Sequence, residues 1–179
     1  MFPVLHRSLP VAALALLAVG LAQAHGPGHG PHVHGQAQAQ LVLESRTLTV
    51  TLQAPGASVV GFERRARDPA ESRQVEQVAA HFEAPSAWLT PSAAAGCRLQ
   101  DRTVDAGAFA SGSHATPGHA DLAASYRFVC ARPARLTELR LDLFQRFPAL
   151  ERVRVEYIVD DMQGEQVLSP RTPVARLRP

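Results

Sequence analysis

Apolar and polar residues alternate with a period of two over several stretches, and this alternation predicts most of the chain's elements. From His32, the residues His32, His34, Gln36, Gln38 and Gln40 share one parity, while Val33, Ala37, Ala39 and Leu41 share the other. That is the pattern of a half-buried strand with a polar outer face. In "RTLTVTLQ", Leu48, Val50 and Leu52 face one way and Thr47, Thr49 and Thr51 the other. A short turn at Glu44-Ser45 joins the two runs, which predicts an antiparallel hairpin ended by Ala54-Pro55-Gly56.

The next periodicity is helical. Asp68 suits an N-cap, Pro69 the first helical position, and Glu71 falls three residues after the cap, as in a capping box. Val75, Val78, Ala79 and Phe82 then form one apolar stripe, and Pro85 stops the helix. A short turn over Ser86 to Leu89 docks Trp88 in the core. Beyond Cys97 a strand is expected to about Val104, then a loop of small and polar residues from Ala106 to Gly118. "ADLAASYRFVC", "LTELRLDL" and "ERVRVEYIV" return to alternation, and Leu139, Leu141, Leu143, Val153, Val155, Tyr157 and Val159 point inward. A turn at Asp160 to Gly164 leads into "EQVLS", and "TPVARL" makes a last short strand. The expected fold is α+β and mainly antiparallel β. It is a sandwich-like sheet of about seven to eight short strands with one packed helix over about 69–83.

The first residues change the picture of where this domain works. Met1 to Arg7 is basic, Pro10 to Leu21 is apolar, and Ala22-Gln23-Ala24 has the small-x-small form of a cleavage site. This reads as a secretory signal peptide over residues 1–24, and the apolar run is too short to span a bilayer. The expected organisation is a signal peptide (1–24), a flexible His/Gly/Pro arm (25–31) and one β-rich domain (32–179). No membrane span is expected after processing. Two cysteines, Cys97 and Cys130, in an exported chain favour one disulfide, which would pin both ends of the segment carrying His114 and His119.

Charge excludes one class of partner. All 18 basic residues are arginine, against 16 acids, and the arginines are dispersed among apolar residues as on a solvated strand face. Nucleic acid is therefore not expected as a partner.

The candidate chemistry is in the histidines. Four of the eight, His25, His29, His32 and His34, fall within ten residues. In an extended strand, residues i and i+2 point to the same side, so His32 and His34 could lean onto one ion. Neutral imidazole is a preferred ligand of zinc and copper, but two ligands do not close a site. His119 with Asp121 forms a second i, i+2 pair at the start of a strand, and His114 precedes it by five residues. His25 and His29 lie on the arm, and cleavage would give His25 a chelating amino group. His81 flanks the helix's apolar stripe and reads as a boundary residue.

Four segments, "HVHGQAQAQLVLESRTLTVTLQAPGASVVGFE", "AAAGC", "HADLAASYRFVC" and "LFQRFPALERVRVEYI", resemble the zinc-regulated ZrgA-like family of Gram-negative periplasmic proteins. The resemblance runs in order over nearly all of the chain after residue 24. It implies a non-catalytic periplasmic zinc-binding protein that assists zinc uptake or homeostasis, alongside a zinc transporter or its binding protein. The family's HxHG start maps onto His32, His34 and Gly35, and its histidine and acid before the second cysteine's strand map onto His119 and Asp121. Two departures lower the expected number of ions held. The stretch between the cysteines keeps only His114 and His119, and Arg64 follows "GFE" where members often carry histidine.

Imidazole also suits copper and nickel, so metal identity rests on the resemblance. Two other classes stay open. A metal-dependent envelope enzyme could use the same histidines, or copper at His25, although the chain has no GxSxG or HExxH motif. A metal-free β-rich interaction module would retain no metal on purification.

Overall fold

The computed structural model describes residues 33–109 and 120–178. Its larger sheet is built around the hairpin of β1 (Gln36–Glu44) and β2 (Thr47–Pro55). Leu41 pairs with Val50 and Leu43 with Leu48, so the apolar parity of both strands falls on one face. The hairpin turns at Ser45-Arg46, where Ser45 takes φ 55°. β5 (Asp121–Cys130) pairs antiparallel with β2, and β4 (Cys97–Asp105) pairs outside β5 as an edge. On the other side, β7 (Arg152–Val159) runs parallel to β1, and β8 (Met162–Leu168) forms the second edge. The order is β4-β5-β2-β1-β7-β8.

A second sheet of three short strands, β3 (Leu89–Pro91), β6 (Glu138–Leu141) and β9 (Val174–Arg176), completes the sandwich. Leu89, Leu139, Leu141 and Ala175 from this sheet are buried in one core with Leu41, Leu48, Val153 and Val155 of the larger one. The Gln166 side chain exchanges two hydrogen bonds with the backbone of Arg176 and so ties the β8 edge to β9.

A short helix α1 (Gly56–Val59) follows β2, and α2 spans Pro69–Glu83. Asp68 caps α2 as its sequence predicts, with Oδ1 accepting from the Ala70 and Glu71 amides at 2.8 and 2.9 Å. Glu71 does not complete the capping box. It accepts instead from the Arg67 amide and takes the Arg64 guanidinium in a bidentate pair, at 2.7 Å each. Val78 and Phe82 are the buried face of α2. Phe82 stacks on Phe147 at 5.4 Å and meets Trp88 edge-on at 5.3 Å, and Trp88 meets Tyr126 edge-on at 5.4 Å. This aromatic column joins the bend after β6, the helix and the larger sheet, each contact adding about 0.5–1.5 kcal/mol beyond area burial. Tyr126 Oη donates to the Phe82 carbonyl at 2.9 Å, and burial pushes its phenol pKa well up.

The α+β, mainly antiparallel architecture agrees with the sequence pattern, with three differences. Among the described residues there are nine strands in two sheets, because "LTP" adds a strand and, with β6 and the expected last strand, forms a separate small sheet. The turn predicted at 160–164 covers only Asp160 and Asp161, with Asp160 at φ 54°, and Gly164 lies inside β8. Gly164 sits opposite Tyr157, where a Cβ would come within 2.5 Å of the phenol oxygen, so the glycine makes room for the ring. The third difference lies at the start of β1 and bears on the histidines.

Candidate metal centre

β1 does not reach back to His34. The chain turns at His34-Gly35, with the Gln36 amide bonded to the Val33 carbonyl at 3.0 Å and Gly35 at φ +76°. Strand parity therefore does not orient His34, and the predicted strand start is corrected to Gln36. The turn is held on three sides. The Gly35 amide donates to Ser58 Oγ at 3.1 Å, and its carbonyl accepts from Glu151 and Arg152 at 2.7 and 2.9 Å. Ser58, at 3% exposure, is the one buried polar residue among the described residues, and its hydroxyl is committed to this anchor.

Strand register gathers further groups at the same end of the sheet. β1 begins where β2 ends, since Gln38 faces Gln53, and Pro55 at the end of β2 faces Asp121 at the start of β5. Gly56 knits the loops that follow. Its amide donates to the Ala120 carbonyl at 2.9 Å, and its carbonyl accepts from Val60 and Gly61. A Cβ at this position would come within 2.3 Å of the Phe62 carbonyl oxygen and 2.6 Å of that of Ala120. Only glycine allows this approach, and it brings the residues just before Glu63 and just before Asp121 against the same atom.

Glu63 then meets His34. His34 Nε2 lies 3.4 Å from Glu63 Oε1, with the imidazole 75% exposed and the carboxylate 14% exposed. The oxygens Glu63 Oε1 and Asp121 Oδ1 are both shielded from solvent. The 3.4 Å separation is longer than an ordinary N–H···O hydrogen bond. It matches the spacing of roughly 3.3–3.5 Å between neighbouring donors on a tetrahedral zinc ion with bonds of about 2.0–2.2 Å. Arg64, next in sequence, is drawn away by Glu71, whose pKa is lowered to about 2 by the hydrogen bond from Arg64 and then by that from the Arg67 amide. Arg64 also lies over the Phe62 ring, 4.8 Å from its centroid. The Arg64–Glu71 pair braces the loop that presents Glu63.

Of the predicted site residues, His34 and Asp121 fall at this end of the sheet. His25, His29, His32, His114 and His119 lie outside the described residues. Among the described residues no three histidine, cysteine or acidic side chains form a group able to hold an ion. Cys97 and Cys130 face each other across β4 and β5 and form the expected disulfide. Glu63 was not singled out by sequence reasoning. The "GFE" motif was the available signal, but a lone acid after a β-end carries no periodicity that would mark it as a ligand. His81 lies against Phe82 and Phe147, consistent with a boundary residue.

The molecule is thus a β-sandwich with an imidazole–carboxylate pair presented at one end of its larger sheet. The family model described as "ZrgA family zinc uptake protein" matches residues 31–177. The chain belongs to this family of zinc uptake proteins. Comparison with curated proteins gives no match. Among the described residues no helix is long and apolar enough to cross a membrane.

Proposed function

We propose that this protein captures zinc in the periplasm and assists its uptake, without bond chemistry of its own. Residues 1–24 direct export, residues 25–31 form a histidine-bearing arm, and residues 32–179 make one zinc-binding domain. His34 Nε2 and Glu63 Oε1 hold one edge of the coordination tetrahedron. Their 3.4 Å separation is the observation that carries this reading. Zinc takes nitrogen and oxygen ligands together, and structural sites use four. His32 precedes His34 by two residues, and His119 adjoins Ala120, whose carbonyl is bonded to Gly56. These two histidines complete the four ligands, with Asp121 as an alternative oxygen ligand in place of one of them. His25, His29 and His114 act as accessory ligands that raise the chance of capture.

The pair is presented for exchange. The His34 imidazole faces solvent while its turn is fixed by Ser58, Glu151 and Arg152. An ion held by such a group is open to hand-over to a zinc transporter or its binding protein. Binding requires neutral imidazoles, so acid weakens it. The ligand set also accepts copper and nickel, and zinc is preferred here because the family is one of zinc uptake.

Calorimetric titration of the purified protein with zinc tests the proposal. His34→Ala and Glu63→Ala should each weaken zinc binding by about tenfold or more. Unchanged affinity in both variants would remove this pair from the site.

A further inference from the structure

We propose that a groove beside the His34 turn binds a small organic di- or tricarboxylate through Arg73 and Arg146. The groove is open to solvent and offers about 500 Å³ between α2, the segment after β2 and the bend at Arg146–Ala149. That volume suits a small molecule.

Its charge is one-sided. Arg73 comes from the helix wall and Arg146 from the bend, and among the described residues no acid lines the groove. Elsewhere on the molecule Arg64 pairs with Glu71, Arg102 with Glu83 and Arg154 with Glu165. Among the described residues, neither Arg73 nor Arg146 has a carboxylate partner. A dianion bound in this groove would meet both charges. Each planar fork also matches a carboxylate in bidentate geometry.

The rest of the lining selects the ligand's body. Ala70, Pro148 and Ala149, all exposed, give the groove an apolar part, against which a carbon skeleton can lie. Inorganic phosphate has no such skeleton. The Gln77 side chain, also in the lining, adds an amide donor. Ser58 lines the groove as well, and its hydroxyl holds the Gly35 amide, so the anion site and the His34 turn share one wall. The inference does not rest on the zinc reading, because it needs only the two arginines and the groove's shape.

The test is calorimetry on protein freed of metal by passage over a chelating resin, so that no chelator competes as an anion. The probes are tricarballylate and inorganic phosphate. Tricarballylate should bind the unaltered protein, and more weakly as ionic strength rises. Arg73→Ala/Arg146→Ala should lose about tenfold or more in affinity, whereas Arg73→Lys/Arg146→Lys should retain part of it. Both arginines are exposed, so the thermal midpoint of the lysine variant should be unchanged, while the alanine variant loses only the Arg146 contact over the Phe147 ring. No tricarballylate binding at millimolar concentration, or equal binding in the alanine variant, would overturn the proposal. Equal affinity for phosphate would overturn the carboxylate assignment, as would preference for an oligo-aspartate peptide over tricarballylate. Zinc titration of His34 and Glu63 variants is read separately, so the two proposals fail independently.

Discussion

His34 and Glu63 meet with Nε2 3.4 Å from Oε1, although both lie outside the strands and helices. The contact is produced by backbone. Gly35 fixes the turn that carries the imidazole, and Gly56 allows the "GFE" loop to close against the start of β5. The candidate site is therefore sensitive to residues that touch no ligand.

Gly56→Ala tests that dependence. The added methyl would enter the space of two carbonyl oxygens and the Phe109 ring, each within 2.7 Å. Two of these are backbone and cannot swing aside. Urea unfolding should show a loss of about 2–3 kcal/mol, and zinc affinity should fall with it. Stability equal to the unaltered protein would mean that the loops are not held together at Gly56.

The disulfide makes a different prediction. Cys97 and Cys130 are register partners at the end of the β4–β5 pair, 33 residues apart in sequence. In the chain-entropy model, removing the bridge costs about 4 kcal/mol. Cys97→Ser/Cys130→Ser, or reduction with dithiothreitol, should lower the urea midpoint accordingly. An unchanged midpoint would show that β4 and β5 are held fully by their ladder.

His81 gives the fold a pH dependence of defined sign. Burial lowers its pKa from the ordinary 6.5, and the nearby Arg146 charge lowers it further. The folded protein thus binds this proton more weakly than the unfolded chain. The stabilisation is full above about 6.5 and is lost as pH falls from there through the depressed folded-state value. His81→Phe keeps an aromatic ring between Phe82 and Phe147 and removes the titration. Its stability should vary less with pH over this window, and equal slopes for the two proteins would contradict the assignment.

The elements whose burial follows strand or helix periodicity were legible in the sequence. α2 was readable from Asp68 and Pro69 to its end, and β1 and β2 from their alternation, because one face of each packs on the core. The small sheet was only partly legible, since three-residue strands are too short to show a period. The parallel placement of β7 beside β1 depends on long-range packing and leaves no local mark. At the site, His34 was readable as a histidine in a dense cluster, but its orientation was not. Strand parity gave way to a turn, because Gly35 adopts a left-handed conformation stabilised by Ser58, Glu151 and Arg152. Glu63 was missed because its significance comes from the close approach at Gly56, a distance that sequence does not display.

The central claim is that His34 and Glu63 share one zinc ion. Anomalous diffraction at the zinc edge, from crystals of the zinc-loaded protein, tests it most directly. The account predicts a single strong peak about 2.0–2.2 Å from both His34 Nε2 and Glu63 Oε1. A zinc peak bound elsewhere, with these two atoms still in contact and no ion between them, would contradict it.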